Sequence, residues 1–176
     1  MNPTWQILSV EDGAALNPLR QLLEEYWQSF GFTPCFQDFS GELAGLPGHY
    51  APPNGRLALA QVGQEAAGCI ALRRVDASRA EAKRLYVRPE FRGLGLGRAL
   101  LEWVIEEARA AGYAELVGDT MPQMSSALAL YDRMGFERTQ PYAQLPTEGA
   151  IFIRLKLYAG TSILHTWRPR RDTLIG

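Results

Sequence analysis

The chain has 176 residues, 47% of them hydrophobic and 21% charged, with a formal net charge of −1. That is the composition of one folded domain, and it excludes both disorder and the general positive field that binds nucleic acid. Two cysteines, two histidines, no run of eighteen apolar residues and no basic-apolar leader exclude a disulfide scaffold, a Cys/His zinc site, a membrane span and a secretory signal, so a cytoplasmic enzyme or binding protein without nucleic-acid or membrane partners is expected.

Trp5–Val10 reads as a short strand. Asn17-Pro18 predicts a helix cap followed by the proline that tolerates a first turn, and Leu19, Leu22, Leu23, Tyr26 and Trp27 repeat at helical spacing up to Gly31. A short helix is expected around Phe36, Phe39, Leu43 and Leu46. Turns follow at Pro47-Gly48 and Pro52-Pro53-Asn54-Gly55. Arg56–Val62 and Ala66–Val75 predict a hairpin through Gly63-Gln64-Glu65, and Ala80–Val87 a third strand ended by Pro89.

Gly95 to Ala111 is the clearest helix, with Leu96, Leu100, Trp103, Val104 and Ala108 on one face and Glu107 as its only polar member. A strand over Glu115–Thr120, a helix capped by Ser125 or Ser126 and ended by Gly135, and two strands over Phe136–Thr139 and Ala150–Leu157 complete the domain, expected to span 1–160. The tail 161–176 has weak patterning. The order β-α-(α)-β-β-β-α-β-α-β-β predicts an α/β (α+β) mixed sheet of about seven strands, with helices on both faces and a parallel pair made by the strand–helix–strand unit of 80–120.

The chemistry concentrates at Arg92-Gly93-Leu94-Gly95-Leu96-Gly97-Arg98. Alternate glycines bring main-chain N–H groups close to a ligand, and the helix N-terminus behind them adds free donors and a partial positive charge. That is an anion site suited to a pyrophosphate. It lacks the spacing of a dinucleotide fingerprint and the Gly-Lys-Ser/Thr of a Walker loop.

These residues resemble the R/Q-x-x-G-x-G/A signature of the GNAT N-acetyltransferase superfamily. Lys83–Phe91 resembles that family's fourth strand and its exit, and Ala127-Leu128-Ala129-Leu130-Tyr131-Asp132-Arg133-Met134-Gly135-Phe136 resembles its A-x-x-L-Y-x-x-x-G-F helix. The close match covers about 80–140, and the element order extends it to about 5–157. The resemblance implies acetyl-CoA as co-substrate, no metal, and direct transfer to a primary amine of a small molecule or amino-acid-like compound. A non-catalytic acyl-CoA module and a protein or peptide acetyltransferase are the alternatives. It further implies that the backbone of Leu85, Tyr86 and Val87 bonds the pantetheine arm, that amides near Tyr86 and Val87 stabilise the oxyanion, that 92–98 hold the pyrophosphate, and that Tyr131 serves the departing thiolate. Many relatives carry asparagine where this chain has Met124.

Glu81 is the first candidate for general base, and Asp119 is both a second base candidate and a candidate acceptor contact. Phe36 and Tyr50 are candidate acceptor walls, and Cys69 is expected to be a small core residue. Residues 11–50 hold six acids against Arg20, and residues 73–98 hold eight bases against three acids. Read as fields, the second segment would steer a phosphorylated donor and the first would favour a cationic acceptor. A homodimer through the last strands or tail is a further expectation.

Overall fold

The structure, a computed structural model, describes residues 4–31, 39–142 and 148–158. It contains an open seven-stranded sheet in the order β1-β2-β3-β4-β5-β7-β6. The strands are β1 (Trp5–Ser9), β2 (Arg56–Val62), β3 (Glu65–Arg74), β4 (Arg79–Val87), β5 (Glu115–Thr120), β6 (Glu137–Arg138) and β7 (Ile151–Lys156). All neighbours pair antiparallel except β4 and β5, the parallel pair that the strand–helix–strand order requires.

The helices are α1 (Leu16–Gln28), α2 (Phe39–Ala44), α3 (Leu96–Ala110) and α4 (Ser125–Arg133). One core lies under α3 and α4, where Leu96, Leu100, Val104 and Ala108 meet Ile70, Leu72, Ala80 and Leu116. The other lies under α1, where Leu19, Leu22 and Leu23 meet Leu57, Leu59, Cys69 and Ala71. Glu107 is compatible with the packed face of α3 because Arg56 Nε donates to it at 2.9 Å.

Two helix starts differ from expectation. α1 begins at Leu16, continuing a 3-10 turn over Gly13–Ala15, and Ala15 occupies the cap position without a side-chain bond. Pro18 therefore sits inside the first turn, where its missing N–H leaves no bond unmade. Asn17 accepts from Arg20 Nη1 instead of capping. At α4 the cap position is Met124 and neither Ser125 nor Ser126 caps. The expected helix near Phe36–Leu46 is α2; Phe36 and the tail lie outside the described residues.

The feature of β4 that matters most is a bulge. Lys83 faces Ala71 and Tyr86 faces Cys69, so Arg84 and Leu85 together oppose Ile70. Arg84 takes the left-handed backbone, φ +61°, which for a residue other than glycine costs about 1–2 kcal/mol. The extra residue reverses the alternation: Ala80 and Ala82 face the α3 core, whereas Tyr86 joins the α1 core. Across from the bulge, a Cβ on Gly68 would lie 2.5 Å from the Tyr86 carbonyl oxygen and 3.3 Å from Val87 Cα. Gly68→Ala should therefore push β3 and β4 apart, costing about 1–3 kcal/mol in urea denaturation and weakening coenzyme A binding if the Tyr86–Val87 backbone carries it.

Candidate active site

β4 pairs with β5 only at Arg79↔Glu115, Ala80↔Leu116 and Glu81↔Val117. Beyond Glu81 the ladder stops, although β5 remains paired with β7 through Thr120. Among the described residues, the edge of β4 that carries Leu85–Val87 is thus bonded to β3 on one side and to no strand on the other. An unpaired strand edge offers alternating N–H and C=O groups to any extended ligand.

The chain leaves this edge through one 3-10 turn, Pro89–Phe91, into the glycine loop. Arg88 fastens the exit: Nη2 and Nε donate to Glu25 at 2.7 and 2.9 Å, and Nη1 donates to the Ala66 carbonyl at 2.7 Å. Arg92 Nε donates to the Val87 carbonyl at 3.0 Å. Gly93 and Gly95 have φ +83° and +82°, and a Cβ at either would meet no protein atom within 4 Å. Gly95 is the cap residue of α3 and offers no side chain, so the first amides of the helix are left for another acceptor. Unpaired strand edge, left-handed glycines and bare helix start adjoin one another, and an extended arm ending in a pyrophosphate fits them.

Tyr131 lies on α4 in the α3-side core, near enough to Tyr26 and Asp119 for their charges to act on it. Its ring packs edge-on to Phe136 at 5.2 Å, and the residue is 7% exposed. Its hydroxyl makes no hydrogen bond among the described residues. Burial pushes its ionisation up, and the proximity of Tyr26 and Asp119 pushes the same way.

On the α1 side the splay is floored by charges. Glu81, 1% exposed, receives Arg73 Nε on Oε2 at 2.5 Å, and Lys83 Nζ and Tyr142 Oη on Oε1 at 3.3 and 2.8 Å. Lys83 Nζ also lies 3.7 Å from Asp119 Oδ1. Burial alone would raise the Glu81 carboxyl, but Lys83, Arg73 and the Tyr142 hydrogen bond outweigh it and hold it below the usual carboxylate value. Beside this cluster Arg84 donates to both Glu42 oxygens, Nε–Oε1 at 3.0 Å and Nη2–Oε2 at 2.7 Å, with its guanidinium 4.8 Å from the Trp27 ring centre.

The sequence model described as the acetyltransferase (GNAT) family matches residues 16–136. An N-acetyltransferase of Schizosaccharomyces pombe, itself uncharacterised, is 37% identical over 144 residues, covering 81% of this chain and 88% of its own. The chain belongs to the GNAT acetyltransferase family. Membership makes it an acyltransferase with acetyl-CoA as co-substrate. Its fold is also that of an acetyltransferase from Streptococcus agalactiae (TM-score 0.73, 23% identity, 87% of this chain and 98% of the other). An acetyltransferase from Salmonella typhimurium, solved with its cofactor acetyl-CoA, is similar as well (TM-score 0.65, 21% identity, 90% and 97% covered).

Within this GNAT domain Leu85, Tyr86 and Val87 lie on the open edge, Arg92–Arg98 form the glycine loop and first turn of α3, and Glu81 and Asp119 fall in one cluster with Lys83 between them. Tyr50 is buried in the α1 core, and its hydroxyl donates to Glu42 at 2.7 Å. Met124 accepts from Thr120 Oγ1 through its sulfur at 3.5 Å. Cys69 is core, as expected, with burial raising its thiol to about 12.

Part of the charge that the sequence divides into two fields is spent on internal ion pairs. Glu25 pairs with Arg88, Glu42 with Arg84, Arg73 and Lys83 with Glu81, Arg79 with Asp76, and Arg98 with Glu102. Two of the six acids of the first segment, Glu25 and Glu42, are partners of bases of the second, so part of each expected field is spent inside the fold. Sequence reasoning missed Arg73, Lys83 and Tyr142. Alternation along β4 puts Glu81 and Lys83 on one face, which was a usable signal; the approach of Tyr142 from 61 residues away had none.

Proposed function

We propose that this GNAT enzyme transfers the acetyl group directly to a primary amine of a small, amino-acid-like compound. The observation that carries the reading is the end of β4–β5 pairing at Glu81↔Val117 beside a glycine loop open to an anion. When bound, acetyl-CoA supplies the acetyl group as a thioester, and the products are the N-acetyl compound and free coenzyme A thiol. The amides of Gly93–Arg98 hold the pyrophosphate, and the open edge of Leu85–Val87 holds the pantetheine arm and offers N–H donors where negative charge develops. Tyr131 presents its unengaged hydroxyl to the sulfur. We place the enzyme in the cytoplasm, in keeping with the unpaired, buried Cys69.

The acceptor amine must lose a proton to react. Asp119, its side chain 24% exposed, has one cationic neighbour at 3.7 Å, and we assign it the proton-accepting role, directly or through water. Glu81 has three donors on its two oxygens, which leaves it little capacity to accept another proton. We therefore give Glu81 a positioning role, ordering Arg73, Lys83 and Tyr142, in place of the general-base role expected from its place on the strand.

Isothermal calorimetry with coenzyme A and a thiol-release assay over a panel of amines test the reading. Saturable binding and acetylation of at least one small amine support it. Binding without turnover on small amines, but with turnover on peptides, would transfer the assignment to protein substrates. Gly95→Ala should weaken coenzyme A by roughly tenfold or more, since a Cβ with φ near +82° strains the cap and enters the space the phosphates need.

A further inference from the structure

We infer that the acceptor carries a carboxylate beside its amine, and that the free end of the Arg73 guanidinium binds it; this rests on the acetyl-transfer reading above. Arg73 is tied to the site by one atom, Nε, on Glu81 Oε2. Its two terminal amino groups bond nothing among the described residues, and its side chain is 36% exposed where the partner's is 1%. Arg84 and Arg88, by contrast, turn both ends of the fork onto protein acceptors. A guanidinium is five donors in a rigid plane. Fixing Nε leaves the outer pair aimed and unspent, the arrangement that takes a carboxylate on two parallel bonds.

Position agrees with chemistry. Arg73 lies opposite Glu81 on β3, and Glu81 opposite Val117 on β5, with Asp119 two residues further along the same face. Neighbouring strands are about 4.8 Å apart, so β3 and β5 lie at about twice that on either side of Glu81, and Arg73 closes part of the gap by reaching across to Glu81 Oε2 with its outer nitrogens beyond. Charge agrees too. Arg73 and Lys83 against Glu81 and Asp119 sum to zero. A polyamine would bring uncompensated positive charge to a balanced cluster. A zwitterion brings its own compensation, its ammonium facing Asp119 and its carboxylate facing Arg73.

The test compares free amino acids with their carboxamides as acceptors, measured by thiol release, in the native enzyme and in Arg73→Lys. Lysine keeps a cation for Glu81 but has no fork. In the native enzyme kcat/KM should favour the acid over its amide roughly 10- to 150-fold, the worth of one or two charged hydrogen bonds. The lower amine basicity of the amide works against this preference, which makes the comparison conservative. In Arg73→Lys the acid-to-amide ratio should collapse toward one, chiefly through KM for the acid. Thermal melting and calorimetry with coenzyme A show whether the variant is folded and loaded. Equal use of acid and amide by the native enzyme, or a fall in both that leaves the ratio intact, would overturn the carboxylate assignment while leaving acetyl transfer standing. If coenzyme A binds and no amine of either kind is acetylated, the transfer reading itself fails, and this inference with it.

Discussion

Tyr131→Phe should lower kcat roughly 10- to 1000-fold, the range of a lost positioned proton donor, while the dissociation constant for coenzyme A stays within about a factor of two. The substitution is unusually clean here. The hydroxyl makes no hydrogen bond among the described residues, so its removal orphans no partner, and the ring keeps its edge contact with Phe136. Stability should therefore change by less than about 0.5 kcal/mol in urea denaturation. What the hydroxyl does is bounded by acidity. A thiol ionises near 8.5 and a tyrosine near 10, so full transfer to the thiolate costs roughly 2 kcal/mol at ordinary values. Burial, with Tyr26 and Asp119 nearby, raises Tyr131 further and widens the gap on its side. Tyr131 then acts by donating a hydrogen bond to developing negative charge, and the ammonium formed on attack supplies the proton. Two results check this: kcat in single-turnover mixing and affinity by calorimetry. An unchanged kcat would take Tyr131 out of the mechanism and leave it a core ring.

How far the sequence carried this account varies by element. α3 was legible because eight of its side chains are buried on a helical repeat, and the glycine loop because glycine is the default residue for left-handed turns such as those at Gly93 and Gly95. The parallel β4–β5 pair followed from connectivity. The start of α1 was misread because the feed-in turn, not a side chain, begins the helix. The bulge was hidden for a different reason. Its left-handed residue is an arginine, so no glycine marks it, and what holds it there is contact with Glu42 and Trp27 from distant parts of the chain. The same distance hid two ion pairs: Glu25 and Arg88 lie 63 residues apart and Glu42 and Arg84 lie 42 apart, so composition by segment could not show that these acids bond those bases.

Glu42→Gln should cost about 1–3 kcal/mol of unfolding free energy, the worth of a hydrogen bond to a charged group, because it takes the charged acceptor from the Arg84 guanidinium, which keeps 6% exposure against 20% for Glu42. The variant leaves a guanidinium packed against Trp27 and Tyr26 without its carboxylate, and removes the charged acceptor of the Tyr50 hydroxyl. Since the bond to Glu42 helps hold Arg84 at positive φ, the bulge should loosen and coenzyme A affinity should fall as well. Acid sensitivity gives an independent reading. Burial opposes the charge on Glu42, but the bonds and charge of Arg84 and the Tyr50 hydroxyl outweigh it, so the folded carboxyl titrates below its ordinary value. The unfolded chain then binds more protons, and the contribution is present in full above the ordinary carboxylate value of about 4.3 and is lost as pH falls through it toward the lower folded value. Urea midpoints measured between pH 3 and 7 should show that acid limb in the native protein and a shallower one in Glu42→Gln, with the remainder owed partly to Glu81, whose shift has the same sign. The double variant Glu42→Leu with Arg84→Met decides between a costly buried charge and simple loss of packing. If the charge is the cause, the double variant is more stable than Glu42→Gln alone; if it is less stable, the pair contributes through shape, and the ion-pair account of the bulge is wrong.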